Sequence, residues 1–219
     1  MRIDARFVKS AAGRADFPRD RLPEIALVGR SNVGKSSLIN ALVRQRLART
    51  SGAPGKTRLA NVYRVDPGRE TPLYLVDLPG YGYARGGADT AREFDEVTRA
   101  FWKRAEEDDP VRIAALLVVD VRHPGLSNDI RAWGWLESTF ERRAIVATKI
   151  DKLARGQRIR AMRELESVFE DSVVPVSAAT GEGLEELWKL IDRLANSSKP
   201  EPLRSRRPPK ATAPLAPRK

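Results

Sequence analysis

Between Leu27 and Leu42 the chain runs through an apolar pair, a glycine, four residues, Gly-Lys-Ser-Ser and a helical repeat. Gly29, Arg30, Ser31, Asn32, Val33, Gly34, Lys35, Ser36 and Ser37 fit G-x-x-x-x-G-K-[ST], a spacing suited to holding phosphate. Gly29 and Gly34 admit backbone angles that other residues resist, so successive N–H groups can turn inward around an anion. Lys35 brings a point charge to the outer phosphates, and the helix starting there points its positive end at them. The Ser36 hydroxyl is predicted to ligate magnesium. The flanks agree with this reading. Ile25 to Val28 reads as a buried strand, and Leu38, Ile39 and Leu42 recur at helical spacing.

Two further stretches carry chemistry. Asp77-Leu78-Pro79-Gly80 follows an apolar run, so its carboxylate can hold magnesium through water while the Gly80 N–H meets a terminal phosphate. An ordinary turn also has this composition. Thr148-Lys149-Ile150-Asp151 bears on the base. A carboxylate at Asp151 accepts both the ring N–H and the exocyclic amine of guanine, a pair that adenine does not offer. The stem of Lys149 can lie along the base plane, and backbone N–H groups of Ser177, Ala178 and Ala179 can meet the guanine oxygen. A helix cap at Asp151 is the plain structural alternative, but three loops in this order favour guanine. Magnesium needs one more hydroxyl in the triphosphate state. Thr57 is assigned that role, closing the segment from Thr50, which is flexible by composition. With Gly55 and Lys56 it forms a first switch that orders around the third phosphate, and Asp77 to Gly80 form a second.

These residues need a frame. Strands are predicted at Asn61 to Val65 and Pro72 to Val76, joined as a hairpin through Asp66-Pro67-Gly68, and at Ile113 to Val119, Ala144 to Ala147 and Val173 to Val176. Helices are predicted at Ala91 to Glu107, Asn128 to Phe140, Gln157 to Phe169 and Leu184 to Leu194. The alternation implies an α/β fold: a mostly parallel six-stranded sheet with one antiparallel edge pair and helices on both faces. In such sheets ligands lie at the carboxyl ends of the strands, where the motifs fall. Residues 1–22 are assigned to an N-terminal extension, 23–195 to one nucleotide-binding domain and 196–219 to a tail.

The 219 residues carry 40 Lys plus Arg against 29 Asp plus Glu, a net charge of +11, with a pI near 10.3. That excess favours polyanionic partners, nucleic acid foremost. The tail holds seven basic residues, one acid and six of the fifteen prolines, a composition that predicts disorder. The absence of cysteine excludes disulfides and thiol chemistry, and a single histidine excludes a His-rich metal site. The longest clear apolar run, Ile113 to Val119, is far short of the roughly 20 residues needed to span a bilayer. A soluble, cytoplasmic protein without a membrane span is expected, by default a monomer.

The motifs together resemble the translation-factor-related P-loop GTPases, with their Ras-like fold. The finer residues resemble the EngB family, also called YihA or YsxC, bacterial GTPases of large-ribosomal-subunit assembly. The resemblance rests on Gly29 to Ser37, Ala48 to Ser51 leading to Pro54-Gly55-Lys56-Thr57, Asp77 to Ala84, Asp120-Val121-Arg122-His123-Pro124, Thr148 to Asp151 and Ser177-Ala178. It implies GTP and GDP binding with Mg2+, slow hydrolysis, association with the large subunit or its precursor through rRNA and ribosomal proteins, and division and septation defects on loss. A glutamine that orients the attacking water often follows D-x-x-G; here Tyr81 stands there. A potassium ion near Asn32 or the ribosome itself is expected to complete the site. Tyr81, Tyr83 and Arg85 are predicted to face the partner. Three other readings compete: an RNA-binding module stabilised by nucleotide without hydrolysis, a kinase-like phosphotransferase, against which Asp151 argues, and a membrane-associated GTPase, which rests on the tail alone.

Overall fold

Three stretches, EIALV, LYLVD and IAALLVVD, are buried along their whole length, as strands covered on both faces must be. In the computed structural model, which describes residues 3–49, 59–68, 71–81, 97–104 and 112–196, they form the sheet centre as β2 (Glu24–Val28), β4 (Leu73–Asp77) and β5 (Ile113–Asp120). The outer strands are β1 (Asp4–Ala11), β3 (Ala60–Asp66), β6 (Arg143–Thr148) and β7 (Val173–Pro175). Their order is β1-β3-β4-β2-β5-β6-β7. β2 lies between two parallel neighbours, with Ala26 opposite Val76 on one side and Ala115 on the other. β5, β6 and β7 continue in parallel, and β3 returns antiparallel to β4 as the expected hairpin.

The sheet has seven strands, not six. Asp4–Ala11, assigned from sequence to the extension, pairs antiparallel with β3, so the β3–β4 pair lies one strand in from the edge. Of this strand only Ala11 is buried, and its register shifts between Phe7 and Lys9. Charges at Asp4, Arg6 and Lys9 and a bulge suit an exposed edge, and they erase the apolar alternation that would have marked a strand.

Among the described residues five α-helical segments cover the sheet: α1 (Lys35–Val43), α2 (97–104), α3 (Ser127–Thr139), α4 (Arg155–Phe169) and α5 (Leu184–Asn196). Alternation along β5 divides the core. Ala115, Leu117 and Val119 join a cluster with Phe101, Trp102, Trp133, Leu136 and Phe169. Ala114, Leu116 and Val118 join the other, with Leu38, Ile39, Leu42, Leu187 and Ile191. The two faces of β5 thus carry different helices: α2, α3 and α4 on one, α1 and α5 on the other. Of the helix predicted at Ala91 to Glu107, residues 97–104 are helical and the remainder lies outside the described residues.

Candidate nucleotide-binding site

The carboxyl ends of β2, β4, β5 and β6 bring Gly29, Asp77, Asp120 and Thr148 to one rim of the sheet. The phosphate loop leaves β2 through Gly29, where an added Cβ would lie 2.5 Å from the Val118 carbonyl oxygen, so only glycine passes. The loop closes through Gly34 at φ +114°, a left-handed angle that glycine adopts freely. Lys35, the first residue of α1, is buried. Its Nζ donates to the Gly29 and Arg30 carbonyls at 3.0 and 3.2 Å. Burial pushes the Lys35 ammonium below its usual range, and the Asp77 charge opposes that shift.

At the end of β4 the Asp77 side chain is 1% exposed. Its Oδ2 accepts a 2.6 Å hydrogen bond from the Ser36 hydroxyl, and its buried Oδ1 has no hydrogen-bond partner among the described residues. Burial raises the Asp77 carboxyl, with Lys35 and Ser36 pulling the other way. A buried carboxylate with a free oxygen is costly unless something takes it up. Beside a serine hydroxyl, it is the oxygen donor set of a hard divalent cation, and the residues fit magnesium. Thr57, Gly55 and Lys56 lie outside the described residues.

On the base side the predicted residues divide. Thr148 is buried, its hydroxyl 2.8 Å from the Val33 carbonyl oxygen and 3.0 Å from that of Val119. It therefore braces β6 against the phosphate loop and faces inward, unlike the base contact expected of it. Lys149 turns with φ +63°, and its Nζ donates to the Asn32 carbonyl at 2.7 Å and to Asp120 Oδ2 at 2.9 Å. Arg122 clamps both oxygens of Asp120, at 2.9 and 2.7 Å. Burial works to raise the Asp120 carboxyl, but hydrogen bonds from Arg122 and Lys149 outweigh it and hold the group well below the usual carboxylate range.

Asp151 Oδ1 accepts the Ser177 hydroxyl at 2.7 Å, and Lys152 lies 3.1 Å from Oδ2. The Ser177 bond first, then Lys152, lowers the Asp151 carboxyl and keeps it an acceptor. Ser177 Oγ in turn accepts the Ala179 N–H at 3.2 Å. Among these predicted donors Ala178 is the one whose N–H has no partner among the described residues. The loop is drawn tight by Gly183, at φ +78°, where a Cβ would fall 2.0 Å from the Pro175 carbonyl oxygen.

The segment predicted as the second switch begins in contact with the phosphate loop. Ser31 N–H donates to the Tyr81 carbonyl at 3.1 Å, and a Cβ on Gly80 would lie 2.6 Å from Ser31 N. Tyr81 was expected to face a partner. Instead its ring packs partly buried against the core, and its hydroxyl donates to Asp129 Oδ1 at 2.8 Å. The reason is a buried carboxylate in the first turn of α3, which also pairs with Arg30 at 3.3 Å. Tyr83 and Arg85 lie outside the described residues. Asp129 and Asn40 were missed from sequence. Asn40 Oδ1 accepts the N–H groups of Leu47 and Ala48 at 2.8 and 2.7 Å, and its Nδ2 donates to the Ala48 carbonyl at 2.8 Å. Its signal was a polar residue within the apolar repeat of α1.

A phosphate loop, a carboxylate–serine pair fit for magnesium and an acceptor carboxylate at Asp151, all at the carboxyl rim of one α/β sheet, suit a GTPase of the P-loop class. A family model described as a 50S ribosome-binding GTPase matches residues 24–149. Relatives named "Probable GTP-binding protein EngB" include those of Heliobacterium modesticaldum, 39% identical with 90% of this chain and 95% of that protein covered, and Pelotomaculum thermopropionicum, 40% identical with 87% and 94% covered. The chain belongs to the EngB family of GTPases, and its activity is the hydrolysis of GTP. The fold is shared with Aquifex aeolicus Era bound to GDP and AlF4−, at TM-score 0.69 and 22% identity over 82% of this chain and 59% of that one. It is also shared with the crystal structure of a probable GTP-binding protein engB, at TM-score 0.59 and 24% identity over 78% and 98%. Among the described residues no helix is long and apolar enough to cross a membrane.

Proposed function

We propose that this protein is a cytoplasmic, monomeric GTP switch in assembly of the large ribosomal subunit, engaging rRNA and ribosomal proteins of the subunit or its precursor in the triphosphate state. The observation that carries this reading is the guanine-nucleotide site in a chain of net charge +11 that matches a 50S ribosome-binding GTPase model. Another structure sharing the fold, at TM-score 0.67 and 23% identity over 82% of this chain and 58% of that one, is Era in complex with MgGDPNP and nucleotides 1506–1542 of 16S ribosomal RNA. Defects in division and septation are then consequences of too few large subunits.

The residues divide the work. Gly29 to Ser37 cradle the phosphates, and Lys35 exchanges the carbonyls of Gly29 and Arg30 for phosphate oxygens. Ser36, Thr57 and, through water, Asp77 hold magnesium, which when bound neutralises charge on the outer phosphates. Gly55, Lys56 and Thr57 act as the first switch, and Asp77, Leu78, Pro79 and Gly80 as the second. Asp151, Lys149 and the Ser177 to Ala179 loop take the base, with Thr148 bracing them from beneath. Tyr81 carries no carboxamide to orient water, and its hydroxyl is bound to Asp129. Turnover is therefore slow until K+ beside Asn32, or the ribosomal particle reached by Tyr83 and Arg85, completes the site.

Co-sedimentation with large subunits and their precursors, in GDP, GTP or a non-hydrolysable analogue, at two salt concentrations and in Na+ or K+, tests this. Retention that needs the triphosphate and survives moderate salt is expected, with GTP turnover raised by particles. Binding indifferent to nucleotide and erased by salt would mean that charge alone drives it. Specific binding without stimulated turnover would favour the RNA-binding module with no physiological hydrolysis.

A further inference from the structure

We infer that Asp129 is a positioning residue, one that latches the start of the second switch onto the phosphate loop and must let go when a third phosphate enters. The inference rests on the assignment of residues 77–80 as that switch. Three elements meet at this one carboxylate. Arg30 comes from the phosphate loop, Tyr81 follows Gly80, and Asp129 sits 1% exposed in the first turn of α3. One carboxylate oxygen takes the Tyr81 hydroxyl at 2.8 Å and the other faces Arg30 Nε at 3.3 Å. The backbone makes a parallel clasp: Arg30 and Tyr81 form an isolated parallel bridge, and the Ser31 N–H is given to the Tyr81 carbonyl.

The two clasps leave no gap between Gly80 and Ser31, whose backbone atoms are so close that a Cβ on Gly80 would meet Ser31 N at 2.6 Å and Arg30 C at 2.9 Å. A phosphate that accepts N–H groups from both the loop and Gly80 has to part them. Parting them pulls Tyr81 from Asp129. Tyr81 covers Asp129 in the closed arrangement, and parting them gives up a hydrogen bond to a carboxylate, which makes the closed arrangement the favoured one. The latch therefore taxes the triphosphate and leaves the diphosphate untaxed, so the two nucleotides are told apart partly by a residue that touches neither. It also gives α3 a handle on the switch, because a partner that shifts the first turn of α3 loosens the same bond.

The test uses the full-length protein and two variants, Tyr81→Phe, which removes one hydroxyl, and Asp129→Asn, which keeps the shape and removes the charge. Affinities for GDP and for a non-hydrolysable GTP analogue are measured by titration with magnesium present, beside thermal unfolding. The ratio of GTP-analogue to GDP affinity is expected to rise about fivefold in Tyr81→Phe and by at least as much in Asp129→Asn, with GDP affinity little changed. If both nucleotides weaken together, or the ratio stays fixed while the unfolding temperature falls, Asp129 only supports the fold and the inference is wrong. A fall in the ratio would also overturn it, since the latch would then belong to the triphosphate state. Should Asp129→Asn fail to fold, Tyr81→Phe decides alone. A wild-type protein that binds neither guanine nucleotide would instead remove the switch reading itself.

Discussion

At the scale of single residues, the proposed guanine specificity turns on Asp151. Its carboxyl is held ionised by the Ser177 hydroxyl and by Lys152, so it offers acceptors and no donor to the base edge. Asp151→Asn replaces one acceptor with an N–H that faces the guanine amine. GDP affinity is expected to fall about a hundredfold, while xanthosine diphosphate, which carries a carbonyl where guanine carries the amine, binds better than it does to the wild type. Competition titrations with both nucleotides check this; equal losses for the two would remove Asp151 from the base edge. Thr148 is instructive beside it, because the motif predicts base contact at both positions. Only the structure reveals that Thr148 points at Val33 and Val119.

Elements pass the site's demands to one another through side chains that bind no ligand. α1 begins at the phosphate loop, and its second turn carries Asn40, whose amide bonds the backbone of Leu47 and Ala48 in both directions. Those bonds fix where the chain departs toward the segment assigned as the first switch. Ala48 is 5% exposed, so Asn40→Ala strands buried backbone groups. The expected cost is about 2 kcal/mol, read as a lower midpoint in urea unfolding, and Asn40→Asp should recover part of it by keeping the acceptor. An unchanged midpoint would mean that water replaces the amide. The strand pattern of β1 is the opposite lesson. With only Ala11 buried and a bulge between Phe7 and Lys9, its pairing with β3 comes from tertiary contact and leaves little trace in local hydrophobicity.

For the whole molecule, the rim of the sheet is an electrostatic joint as well as a ligand site. Asp120 holds Arg122 and Lys149 together between β5, the following loop and β6. Its folded pKa is depressed, so its contribution to stability is present above the unfolded value of about 3.9 and is lost as pH falls through the folded value. Arg122 and Lys149 are partly exposed, at 40% and 28% of their side chains, which screens the pair. Asp120→Asn is therefore expected to cost about 1 kcal/mol at pH 7, with the gap to wild type narrowing below about pH 4. Urea unfolding at pH 7, 5 and 3 checks the sign, and a gap that widens in acid would refute it. Long apolar runs, glycine-rich phosphate-loop spacing and strand–helix alternation are properties of neighbouring residues. They made the parallel centre of the sheet and the GTPase family legible in the sequence. Asp129, Asn40 and β1 were not legible, because each owes its role to groups distant in the chain. A carboxylate in a helix's first turn looks like a cap until folding brings Arg30 and Tyr81 to it, and that meeting was decided by the tertiary structure alone.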